Sequence, residues 1–129
     1  MITFDEYQYS RPDVEEIKKD IMALIERFNQ ADTVEGQSII IDEINKIREH
    51  YSTMENILYI RSSVDTNDTY YVNEREYLDE QGPIIEDLVT EYYKALMQSK
   101  FRIELEEKYG HQLFDLADYQ IRGFSSDVI

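Results

Sequence analysis

The chain has 129 residues, the size of one domain, and 42% of them are hydrophobic, enough for a folded core. Its 28 acidic and 13 basic residues leave a formal net charge of -15, which argues against nucleic acid or an anionic membrane as partner. It has no cysteine, so disulfides and thiolate metal sites are excluded, and a reducing, cytoplasmic setting fits.

The acidity is even, with 14 acidic and 7 basic residues in 1–65 against 14 and 6 in 66–129, so there is no acidic tail or basic arm. The opening "MITFDEYQYSRPD" lacks a charged start followed by an apolar run, so no signal peptide is expected. Nor does any stretch approach the roughly 20 apolar residues of a membrane span.

Helical periodicity runs through nearly the whole chain, and no alternating pattern lasts long enough for a strand. A first helix is expected from Arg11-Pro12-Asp13 to about residue 30. Proline suits a first turn, and Asp13, Glu15 and Glu16 suit the positive end of the helix dipole. Val14, Ile17, Ile21, Leu24, Ile25 and Phe28 make its apolar face.

A second helix should run from about Thr33 to Val64. Ile40, Ile44, Ile47, Tyr51, Met54 and Leu58 form a heptad seam along it. The third should run from Asn67 or Asp68 to about Ser99. Tyr71, Leu78, Ile85 and Tyr92 recur every seven residues, and Leu88 and Leu96 fill the other seam position. Gly82-Pro83 predicts a kink or a break in it, because proline removes a backbone donor and clashes one turn back.

A short fourth helix is expected over Lys100–Tyr109, capped by Gly110. The fifth covers about His111–Arg122, with Leu113, Ala117 and Ile121 on one face. The chain closes on "FSSDVI", whose Phe124, Val128 and Ile129 have nothing left to pack on, as in a piece of a longer protein. The expected fold is all-α: one region over 1–129, an array of antiparallel helices dominated by a long αα-hairpin.

Residues 65–76 tempt a calcium reading. Asp65, Asn67, Thr69 and Glu76 fall at positions 1, 3, 5 and 12 of an EF-hand loop. Position 6 demands glycine and holds Tyr70, and few carboxylates are present. Asp65, Thr66, Asn67 and Asp68 are better read as turn and cap formers at the corner of the hairpin.

Catalytic signatures are missing. His50 and His111 belong to no HExxH and have no glutamate three residues earlier, so neither fits a zinc helix or a di-iron bundle. Adjacent carboxylates such as Glu106-Glu107 point about 100° apart and read as solvated. No catalytic and no metal residue is expected. Tyr51, Tyr71 and Tyr92 lie on seams and read as core. Tyr59, Tyr70, Tyr77 and Tyr93 lie off the seams and are the candidates for peptide or interface contacts.

"FDEYQYSRPDVEEIKKD", "STMENILYIRSSVDTNDTYYVNEREYLDE" and "EYYKALMQSKFRIELEEKYG" together resemble the N-terminal region of oligoendopeptidase F and its relatives. These are bacterial zinc metallopeptidases of the thimet-oligopeptidase class. The resemblance covers the whole chain and is densest in "IRSSVDTNDTYYVNEREYLDE". It implies a much longer parent protein with two helical lobes around a channel for short peptides, and zinc held by an HExxH helix plus a later glutamate. None of those ligands lies in this chain. The resemblance therefore implies an inactive lobe segment whose partner is the catalytic domain of the same chain, with self-association through uncovered apolar surface when alone. A free-standing acidic helical interaction module is the alternative.

Overall fold

The computed structural model describes residues 8–64 and 67–123. The expectations for Asp65, Thr66 and the closing Phe124, Val128 and Ile129 lie outside the described residues. Five helices follow in order, with no strand among the described residues: α1 Val14–Gln30, α2 Val34–Val64, α3 Thr69–Met97, α4 Arg102–Tyr109 and α5 His111–Gly123.

The ends of α1 and α2 are set by local chemistry. Asp13 caps α1, its carboxylate accepting from the Glu16 amide at 3.1 Å. Pro12 therefore stands just before the cap rather than inside the first turn. Thr33 caps α2, its hydroxyl accepting from the Gly36 amide at 3.0 Å. Buried Gln37 then joins three connections. Its amide donates to the Phe28 carbonyl at 3.1 Å, and its side-chain oxygen accepts from the Ser99 hydroxyl at 2.5 Å. The same hydroxyl accepts from the Phe101 amide at 3.0 Å, which turns the chain from α3 into α4. Helix α4 consequently begins two residues later than its periodicity suggests.

The α2 seam holds: Ile40, Ile44, Tyr51, Met54 and Leu58 are buried and Ile47 is half-buried. Helix α1 packs on both α2 and α3, and α5 packs on α3 and α4. Two apolar clusters result. The larger joins Leu24, Phe28, Ile41, Tyr93, Leu105 and Phe114 with their neighbours from all five helices. The smaller, toward the α2–α3 corner, joins Val14, Tyr51, Leu58 and Leu78.

Helix α3 does not break at Gly82-Pro83, which lies inside one continuous helix of 29 residues. Pro83 is exposed. The carbonyl it leaves without a partner can therefore turn to water, so the lost hydrogen bond costs little there. Gly110, between α4 and α5, has φ +93 and ψ 158, a conformation open to glycine and strained for other residues.

Candidate functional site

At the corner, Asp68 caps α3 by accepting from the Tyr70 amide at 2.9 Å. Residues from Thr69 onward, Glu76 included, are already helical. Positions 5 to 9 of a calcium loop starting at 65 would lie outside any helix, whereas residues 69–73 are helical, so the cap reading of Asp68 stands.

Next to the corner the N-terminal residues 9–12 lie as a strap along α3, around a buried carboxylate. Glu74 is only 4% exposed. The Arg11 guanidinium grips it, Nε lying 3.0 and 3.1 Å from the two oxygens and Nη2 closing the pair on Oε2. The Tyr9 hydroxyl donates to Oε1 at 2.9 Å. Arg11 also lies 4.2 Å from the centroid of the Tyr77 ring, and the Tyr77 hydroxyl donates to the Pro12 carbonyl at 3.1 Å. On the α2 side, the Ser10 amide reaches the Met54 sulfur at 3.4 Å.

Electrostatics follow from this arrangement. The Arg11 hydrogen bonds hold the Glu74 carboxyl below the usual carboxylate range, against the opposing effect of burial, and the Tyr9 hydrogen bond helps. Burial, together with Glu74, pushes the Tyr9 phenol well above its ordinary value. Tyr9 therefore stays a protonated donor.

The four candidate tyrosines separate. Tyr70 is 53% exposed, edge-on to Tyr9 and Tyr71, with ring centroids 6.3 and 5.2 Å away. Tyr59 is 44% exposed, with the Arg75 guanidinium 5.3 Å from its ring centroid. Tyr77 is half-buried and its polar tip is spent on the strap. Tyr93 needs correction: it is 1% exposed, a core residue, and its hydroxyl accepts from Arg48 at 3.2 Å. It belongs to the larger apolar cluster, where helices besides α2 also pack on α3. So the fold brings Tyr59, Tyr70 and Tyr77 to the corner end and sends Tyr93 to the other cluster.

The sequence reading missed Tyr9, Arg11 and Glu74. A signal was present for one of them: Glu74 falls at the alternate seam position, between Tyr71 and Leu78. A carboxylate on an apolar seam calls for a cation or hydrogen-bond donors to reach it.

A cleft of about 270 Å³ opens between α1, α2 and α3, lined by Ile17, Ile21, Tyr51, Glu55, Gly82 and Ile85 among others. The buried Tyr51 hydroxyl finds no hydrogen-bond partner among the described residues. Its phenol is pushed up to about 12, by burial first and then by Glu55. The Glu55 carboxyl is itself raised, by burial and then by Asp79. His50 and His111 are both on the surface, and His111 Nδ1 lies 3.3 Å from Glu106. Among the described residues no three His, Cys, Asp or Glu gather in a way that could hold a metal ion. No helix of the described residues is long and apolar enough to cross a membrane.

A family model described as the peptidase M3 N-terminal domain matches residues 4–124. The chain belongs to this family. Solved structures agree with this M3 N-terminal domain in fold and in sequence. One is a protein named as an oligoendopeptidase F from Bacillus anthracis strain Ames, with 44% identity and a TM-score of 0.93 over 99% of this chain and 24% of that one. Another is PZ peptidase A with an inhibitor, with 42% identity and a TM-score of 0.92 over 97% of this chain and 22% of that one. A third, also named as an oligoendopeptidase F, has 37% identity and a TM-score of 0.92 over 98% of this chain and 22% of that one. The M3 N-terminal domain described here thus spans under a quarter of the length of the solved proteins it matches. No curated protein matches it.

Proposed function

We propose that the chain is the N-terminal helical lobe segment of a zinc-dependent oligoendopeptidase that hydrolyses short peptides. It contributes to the wall of the substrate channel and does not itself catalyse. The observation that carries this reading is the 44% identity, with a TM-score of 0.93 over 99% of the chain, to a protein named as an oligoendopeptidase F.

On this reading the catalytic portion of the same polypeptide is the principal partner, and zinc is held there, by residues outside these 129. Zinc, when bound, supplies Lewis-acid polarisation of the scissile carbonyl and an activated water. The segment supplies shape. Two long helices, braced by α1 and by the Arg11–Glu74 strap, make a stiff wall against which peptides can be held. The cytoplasm is the proposed location, in keeping with a chain free of cysteine.

The test begins with the reading frame that continues past the Ile129 codon. The full-length product should cleave short quenched-fluorescence peptides, lose activity with a chelator and regain it with zinc. A long product without HExxH, or cleavage indifferent to chelator, would overturn the proposal. A stop codon directly after Ile129 would instead favour the free-standing interaction module.

A further inference from the structure

The cleft between α1, α2 and α3 holds two charges of opposite sign on one helix, Arg48 and Glu55 of α2. Seven residues are close to two whole helical turns. Both side chains therefore leave α2 on the same face, about 10 Å apart along its axis. Both residues are half-buried. Arg48 meets rings rather than a carboxylate. Its Nη2 donates to the Tyr93 hydroxyl at 3.2 Å, and its guanidinium carbon lies 5.8 and 5.4 Å from the Tyr92 and Tyr93 ring centroids. Glu55 has a second carboxylate, Asp79, as its charged neighbour, and burial and Asp79 together raise its carboxyl above the ordinary value.

A charge drawn partly out of water costs stability unless an opposite charge reaches it. Here two such charges lie two turns apart on the same face and do not serve each other. The surface between them is apolar, formed by Ile17, Ile21, Ile47, Ile85 and Val89. Tyr51 stands midway, 7% exposed, and its hydroxyl is a donor without a partner among the described residues. At about 270 Å³ the cleft is just below the range for drug-sized ligands and suits a smaller one.

We infer that this cleft binds a short peptide with free ends, about three residues long, its carboxylate on Arg48 and its ammonium beside Glu55. Three extended residues span roughly 10 Å, which is the spacing of the two charges along α2. A free amino acid is too short to reach both. A fatty acid or an alkylamine would satisfy one charge and leave the other, and a diamine or a dicarboxylate would set like charges together at one end. The site goes beyond the channel-wall reading and does not depend on it, since every group named lies on α1, α2 or α3.

The probe is trialanine, titrated to about 10 mM into the isotope-labelled chain and followed by its amide chemical shifts, a range that captures millimolar affinity. Saturable shifts are expected at Ser52 and Gly82, which line the cleft. Trialanine capped with acetyl and amide groups should bind roughly tenfold more weakly, as should free trialanine on Glu55→Gln or on Arg48→Met. Arg48→Met also loses its bond to Tyr93, so circular dichroism checks that it folds; Glu55→Gln breaks no such contact and carries the test by itself if it does not. Absence of saturable shifts would overturn the inference. So would equal binding of the capped peptide, or shifts centred on Tyr59 and Tyr70 instead of the cleft. None of these results touches the peptidase reading, which the chelator experiment on the full-length product decides separately.

Discussion

Glu74 shows how one residue sets the corner end of the molecule. Its carboxylate is buried and takes hydrogen bonds from both Arg11 and Tyr9. Glu74→Gln keeps the shape but weakens the grip of the half-exposed Arg11, and should cost up to about 1 kcal/mol of stability at neutral pH. The pH dependence has a definite sign. The folded-state pKa of Glu74 lies below the ordinary 4.5, so its contribution is complete above that value. It is lost as pH falls through the lowered folded value. Thermal melts of the two proteins should therefore differ most near neutrality and converge on acidification. A gap that widens toward low pH would contradict this.

Among the elements, two glycines that look alike in sequence behave differently. Gly82 is inside α3 with ordinary helical backbone, and a methyl group there would meet nothing within 4 Å other than its chain neighbours. Gly82→Ala gains about 0.5–1 kcal/mol of helix preference but sets a Cβ against the Pro83 ring that follows, so the net change should lie within about 1 kcal/mol of zero. Gly110 has equal room for a methyl group but sits at φ +93. Gly110→Ala should lose roughly 1–3 kcal/mol, from backbone strain alone. Denaturant titration of both variants checks the pair, and an equal loss at both positions would refute it. The helices themselves were legible because seams such as Ile40–Leu58 report burial directly. Tyr93 was not legible, because a seam reading assumes one partner helix while α3 is covered on two flanks. The pairing of Arg11 with Glu74 was hidden by distance along the chain, although Glu74 on a seam position marked where a cation or hydrogen-bond donors were called for.

For the molecule as a whole, excess negative charge is the dominant electrostatic fact. Thirteen cationic side chains face 28 acidic ones. Exposed ion pairs such as Arg102–Glu106 and Arg122–Asp118 recover little of the repulsion, since surface pairs contribute at most about 1 kcal/mol each. Added salt should therefore raise the unfolding temperature between low ionic strength and about 0.5 M, where the screening length falls to a few ångströms. A melting temperature that drops with sodium chloride would show that attractive pairs outweigh the repulsion. The overall array was legible from periodicity and turn residues, but the cleft between α1, α2 and α3 was not, since three helices define it jointly.

The strap has a further consequence, in time rather than in space. Its anchors lie 63 to 65 residues apart in sequence: Arg11 and Tyr9 with Glu74, and Pro12 with Tyr77. At 5–20 residues per second, a ribosome needs roughly 3–13 s to make the second half of each contact after the first. Throughout that interval residues 9–12 lack the Glu74 carboxylate and the Tyr77 ring that will hold them. The corner end thus closes only some seconds after its strap is made, and a chaperone has those seconds in which to reach Tyr9 and Arg11.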